Sequence, residues 1–197
     1  LLGHSMGSFA TREYLLRYGK ELDACVISGT GWHPAALATS AKTLAAMCGL
    51  ASWTKPATLV NGVGFGSYNK AFEPARTPFD WLSRDEREVD QYIADPWCGF
   101  MFTGAGYWDL FSGLQRLTHE EKLKMIRPEL PVLLISGEKD PVGAMGEGPR
   151  KVAEALRKAG LRDVQLKLYP ECRHELFNEL NRQEVYGDLA AWLLKHL

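Results

Sequence analysis

Ser5 lies in Gly3-His4-Ser5-Met6-Gly7, a G-x-S-x-G pattern. The chemistry this pattern serves is nucleophilic attack by a hydroxyl. A strand must turn sharply into a helix, so that the serine is held in strained backbone geometry with its Oγ exposed. The two glycines allow close approach of neighbouring backbone, and the N–H of Met6 is left pointing toward a developing oxyanion at the helix N-terminus. A serine attacks only beside a base, and the base needs an orienting acid. His174 in Tyr169-Pro170-Glu171-Cys172-Arg173-His174-Glu175 and Asp140 in Ser136-Gly137-Glu138-Lys139-Asp140-Pro141-Val142 supply the two types. Their order, Ser then Asp then His, is the one that follows a serine turn of this kind on an open sheet.

Placement on the fold strengthens the assignment. Ala24–Ser28 and Val132–Ser136 are continuous apolar runs, as expected of parallel strands buried on both faces, and Val164–Tyr169 alternates like a strand nearer the edge. Helical patterns occupy Met6–Tyr18, closed by Gly19 at a C′ position, Pro149–Ala159, and Asn181–Leu197 with an Asn181…Glu184 start. This alternation predicts an α/β protein with a parallel sheet. Asp140 and His174 each follow a predicted strand directly, on loops that gather at the carboxyl ends of strands, where ligands bind. The plainer readings are a turn aspartate before Pro141 and a surface histidine. Asp163 precedes its strand, at the wrong end of the sheet, and Glu138 is less well placed than Asp140. His4 packs beside the turn, His33 and His119 flank the middle segment, and His196 sits where a cation complements the last helical turn.

From about Trp32 to Arg127 the pattern breaks for longer than a loop in a compact domain allows, which predicts an inserted subdomain. Ser83…Glu86 and Thr118…Glu121 read as capping boxes within it. It holds a large share of the chain's rings, Trp53, Phe65, Trp81, Phe102 and Tyr107 among them. Singly such rings are the core of a helical lid; together they suit an apolar acyl pocket. The expected division is 1–33 for the serine turn, its helix and the next strand, 34–127 for a helical lid, and 128–197 for the part carrying acid and histidine.

The 197 residues carry a formal charge of −1, which gives no electrostatic case for nucleic acid or an anionic membrane. Apolar stretches are too short to span a bilayer. Four scattered cysteines, Cys25, Cys48, Cys98 and Cys172, read as reduced thiols of a cytoplasmic protein. No metal-ligand spacing and no dinucleotide loop is present, so neither metal nor cofactor is expected.

Gly3-His4-Ser5-Met6-Gly7-Ser8, Gly137-Glu138-Lys139-Asp140-Pro141-Val142 and Tyr169 to Glu175 resemble the bacterial lysophospholipase and monoacylglycerol-lipase-like α/β-hydrolases. The tail from Phe177-Asn178-Glu179 through Val185-Tyr186-Gly187-Asp188-Leu189 to Leu193 is similar as well, while Glu171 and Cys172 depart from the small residues of that family. The resemblance implies the C-terminal part of an α/β-hydrolase sheet with a mainly helical lid. It implies cleavage of monoacylglycerols, lysophospholipids or small acyl esters through an acyl-enzyme. The roles implied are Ser5 as nucleophile, His174 as base, Asp140 as acid and the Met6 N–H as oxyanion donor. The family has strands and helices ahead of the serine turn that this chain lacks, including the loop giving a second oxyanion N–H. The chain therefore reads as part of a larger hydrolase and as a weak enzyme alone, with an open sheet edge offering self-association. The competing reading is a non-catalytic fragment serving as a binding module.

Overall fold

In the computed structural model, which describes residues 1–196, four parallel strands form one sheet in chain order: β1 (Leu2–His4), β2 (Cys25–Ser28), β3 (Val132–Gly137) and β4 (Val164–Tyr169). Register runs Gly3 to Ile27, Ile27 to Leu134 and Leu134 to Leu166. Each strand adds beside the last, so all four carboxyl ends face the same way. Helices α1 (Met6–Tyr18) and α6 (Glu147–Lys158) cover one face and α7 (Arg182–His196) covers the other. Leu15, Leu16, Cys25, Ile27, Leu134, Val152 and Leu156 pack on the first side, and Val26, Leu133, Ile135, Val185 and Trp192 on the second. Two covered faces explain why β2 and β3 have no polar alternation.

Between β2 and β3 come α2 (Ala35–Ala51), α3 (Thr58–Phe65), α4 (Glu86–Ala94) and α5 (Gly104–Arg116), with 3₁₀ turns at Tyr68–Phe72 and Glu120–Met125. Ala38, Ala45, Val60, Tyr107, Phe111 and Leu114 make their own apolar core, and Phe9 of α1 packs against it. Helix α5 lies along α1, leaving a groove of about 660 Å³ lined by Met6, Phe9, Ala10, Phe102, Leu110 and Leu114 among others.

Local signals were displaced where a side chain had a better partner. Helix α4 is capped by Asp85, whose carboxylate accepts from the Arg87 N–H at 3.1 Å, and not by Ser83. The Ser83 hydroxyl instead donates to Asn178 O at 2.8 Å. Thr118 starts no α-helix; its hydroxyl donates back to Gln115 O at 2.8 Å, and a 3₁₀ turn follows. Gly19 is right-handed (φ −58°) and continues into a 3₁₀ turn instead of ending α1 in a left-handed cap. Asn181 does precede α7, but its Oδ1 serves Arg84 and Cys172 and not the helix. The last residue of that expected helix, Leu197, lies outside the described residues.

Candidate active site

The serine turn is built as its sequence requires. Ser5 sits between β1 and α1 with φ 53° and ψ −121°. Its N–H donates to Ser28 O at 3.0 Å, and its carbonyl accepts from the Ser8 N–H at 2.8 Å. A Cβ at Gly3 would fall on Thr11 Oγ1 and on the Gly7 carbonyl, so any larger residue there would push α1 off its strand. Gly7 differs: a Cβ there meets nothing within 4 Å, so only one of the two glycines is needed for close approach. The Met6 N–H opens α1, where no preceding carbonyl of the helix is in reach.

Asp140 follows β3 and is fully buried. Its Oδ1 accepts from the Val142 N–H at 2.9 Å, which holds the carboxylate in a tight turn. Its Oδ2 accepts from Ser136 Oγ at 3.4 Å and lies 3.0 Å from His174 Nδ1. His174, on the loop after β4, is 2% exposed. With Oδ2 ionised, Nδ1 carries the proton and Nε2 is the free basic nitrogen. The imidazole lies against His4, ring centroids 4.7 Å apart, which places it beside the residue preceding Ser5. No hydrogen bond links Ser5 Oγ to His174 among the described residues; in unliganded sites such bonds commonly close only around substrate.

Among the described residues, the non-glycine residues with positive φ are Ser5, Ala144, Met145 and Glu171. All four fall on the three loops carrying Ser5, Asp140 and His174. Backbone strain is thus concentrated at the carboxyl-end edge of the sheet, where strained residues commonly cluster in functional sites.

His4 bonds through Nδ1 to Ser28 Oγ at 3.2 Å. Burial, then the nearby His174, lower its pKa to about 4, with Asp140 opposing, so it is a neutral neighbour at pH 7. Burial, then Asp140, push the Tyr68 phenol up to about 12. The rival acid Asp163 is engaged elsewhere, 2.8 Å from His196 Nε2. His119 is at the surface beside Glu121. His33 is half-buried, edge-on to Phe9, with its enclosed Nε2 lacking a partner among the described residues.

Sequence reasoning missed the way the inserted segment grips the histidine loop. The His174 N–H donates to Trp81 O at 3.4 Å and the Glu175 N–H to Leu82 O at 2.7 Å. Glu179, fully buried, accepts from Arg84 Nε at 2.8 Å and from the Arg173 N–H at 2.7 Å. Arg84 Nη2 also reaches Asn181 Oδ1 at 2.7 Å and Cys172 Sγ at 3.3 Å. The one available signal was Cys172 where a small residue was expected; Glu179, set among Asn178, Asn181 and Arg182, reads in sequence as an ordinary surface carboxylate.

A parallel sheet in this order, helices on both faces and a helical insertion after the second strand define part of an α/β-hydrolase. The chain belongs to the family described as serine aminopeptidase, S33 (Hydrolase_4), whose model matches residues 1–181. A monoacylglycerol lipase of Mycolicibacterium smegmatis is 28% identical over 197 residues, covering 100% of this chain and 62% of that protein. A thermostable carboxyl esterase from Bacillus coagulans, solved with glycerol, superposes with a TM-score of 0.89 at 26% identity over 99% of this chain and 64% of its own. A lipase in an open form gives 0.84 at 26% identity, over 98% and 64%. The chain thus spans less than two thirds of the length of these relatives. No helix among the described residues is long and apolar enough to cross a membrane.

Proposed function

We propose that this chain carries the reacting groups of a carboxylic ester hydrolase, with Ser5 as nucleophile, His174 as general base and Asp140 as its orienting acid. The observation that carries the reading is the buried Asp140–His174 pair at 3.0 Å, set beside a serine in strained strand-to-helix geometry. His174 Nε2 takes the Ser5 proton as Oγ attacks the ester carbonyl, and the Met6 N–H donates to the oxyanion. The imidazolium then protonates the departing alkoxide, leaving an acyl-serine. Water, deprotonated by the same nitrogen, releases the acid.

Residues 34–127 act as a lid, and the groove running from Met6 past Phe9 to Leu110 and Leu114 takes the acyl chain. The substrates this reading assigns are monoacylglycerols, lysophospholipids or related small acyl esters, whose chains match the apolar part of that groove next to Met6. The names of the lipase and esterase relatives support an ester over an amide. Four free cysteines suit a reducing cytoplasm.

A fluorophosphonate tests the assignment, since it labels a serine only where a base activates it. Labelling should map to Ser5 and vanish in Ser5→Ala and His174→Ala. Asp140→Asn should slow p-nitrophenyl butyrate turnover by about 10⁴ through the wrong tautomer. Labelling at another serine, or undiminished turnover by Ser5→Ala, would sink the reading. Faster cleavage of aminoacyl anilides than of esters would move it to peptide chemistry.

A further inference from the structure

The imidazole of His174 has one ring hydrogen bond, from Nδ1 to Asp140. A single bond fixes one corner of the ring and leaves its plane free to pivot, so the direction of Nε2 must be set by packing. His4 lies on one contact at 4.7 Å and 42° between planes, and Trp81 on another at 5.2 Å and 39°. Gly29, at φ +59°, permits the first: a Cβ there would stand 3.0 Å from His4 Cε1 and 3.1 Å from His174 Cε1.

Trp81 belongs to the inserted segment and is itself held there. Its N–H donates to Asn69 Oδ1 at 2.9 Å, and its ring meets Tyr68 at 5.0 Å. Its carbonyl accepts from the His174 N–H, and Leu82 O accepts from Glu175. One short stretch of the lid thus touches the base by ring and by backbone.

We infer that Trp81 is a positioning residue: through its indole the lid fixes the plane of the His174 imidazole, so Nε2 is aimed at Ser5 only while the lid is seated. This rests on His174 being the base. Near-attack geometry is unforgiving: a misplacement of about 1 Å can cost about 10²-fold in rate. A ring in place of the indole should restore aim; an aliphatic side chain of similar bulk should not.

The test compares Trp81→Phe with Trp81→Leu by two readouts. One is the NMR signal of the His174 Cε1–H, assigned by its loss in His174→Gln. It should move and broaden in Trp81→Leu and less so in Trp81→Phe. The other is the second-order rate of Ser5 labelling by a fluorophosphonate, expected to fall about 10–100-fold in Trp81→Leu and less than 5-fold in Trp81→Phe. With p-nitrophenyl butyrate, kcat should fall and KM stay nearly constant. An unmoved His174 signal in Trp81→Leu overturns the inference, whatever the labelling rate. A moved signal in a chain whose Ser5 never labels leaves the clamp standing and removes the catalytic reading instead. If near-UV circular dichroism finds Trp81→Leu unfolded, Trp81→Met, a second non-aromatic replacement of similar bulk, takes its place: an unmoved His174 signal there, with the fold kept, overturns the inference.

Discussion

The sheet edge and the inserted helical segment meet at the same histidine but are held in place by different physics. At the edge, short loops leave strand ends and are constrained by backbone: a positive φ at Ser5, an aspartate turned onto Val142, a glycine that admits no Cβ. The inserted segment has its own apolar core and reaches the edge through long side chains, Arg84 to Glu179 and Trp81 to His174, besides the backbone bonds from His174 and Glu175 to Trp81 and Leu82. Backbone constraints bear on a few adjacent residues. Side-chain anchors bear on pairs about ninety positions apart in the sequence. The same site therefore has one half that is locally encoded and one half that is made only by folding.

The largest expected effect breaks the edge at its tightest contact. Gly3→Ala places a methyl on the Gly7 carbonyl and Thr11 Oγ1, whereas Gly7→Ala points into open space. The first should cost on the order of 4 kcal/mol or more and abolish labelling of Ser5; the second should change stability by about 1 kcal/mol or less. Urea denaturation of the two variants checks this. Equal losses would mean that both glycines are needed for reasons other than space.

The lid's anchor comes next. Glu179 is fully buried and its partner Arg84 is half-buried. Glu179→Ala strands Arg84 and frees the Arg173 N–H, at a cost of about 3–5 kcal/mol. Glu171→Ala, on the same loop but exposed and 3.8 Å from Lys139, should cost about 0–1 kcal/mol. Denaturation midpoints that fail to separate these two carboxylates would remove the lid's side-chain anchor from the account.

Asp140 and His174 were proposed from sequence because each lies in a short motif at the end of a strand whose apolar run is itself legible, whereas Ser5 was proposed from its G-x-S-x-G pattern. Strands β2, β3 and β4 were read within a residue or so of their ends; β1 (Leu2–His4), three residues long, carries too short an apolar run to be read. Trp81 was visible only as one ring among many, since no spacing relates it to His174. The helix starts show the same limit on a smaller scale. Ser83 has the side chain of a cap, but Asn178, far along the chain, offers its hydroxyl a carbonyl, and Asp85 caps α4 instead. Competition from distant partners displaced the local signal by two residues.

His33 sits at the joint between the two regions and gives a pH-dependent comparison. Burial, then the nearby Arg12, lower its pKa to about 4, and His4 at the edge has a similar value. An unfolded histidine binds its proton near pH 6.5, so between 6.5 and 4 the unfolded chain holds more protons than the folded one. Stability from this source is full above pH 6.5 and declines as pH falls toward 4, by roughly 3 kcal/mol at most for each histidine. His33→Gln should flatten the loss of Tm between pH 7.5 and 4.5 by about half of the histidine contribution. An unchanged slope would show that His33 protonates in the folded state without cost.

The smallest effect separates a cap that forms from one that the pattern alone suggests. Thr103 and Thr118 both lie in the inserted segment, and both have the side chain of an N-cap. The Thr103 hydroxyl accepts from the Gly106 N–H at 3.2 Å and so satisfies one of the four free donors at the start of α5. Helix α5 carries Tyr107, Phe111 and Leu114 into the lid core, so fraying its first turn loosens the element that lies along α1. Thr103→Ala should cost about 1 kcal/mol, and Thr103→Ser should recover most of it, because the hydroxyl is what caps. The Thr118 hydroxyl donates to Gln115 O at the C-terminal end of the same helix and meets no free N–H of a following α-helix. Thr118→Ala should therefore cost only a few tenths of a kcal/mol, the scale of a solvent-accessible hydrogen bond. Chemical denaturation midpoints of the three variants, taken at one pH, rank the two threonines. A Thr118→Ala loss as large as that of Thr103→Ala would mean that the 3₁₀ turn after α5 behaves as a capped helix.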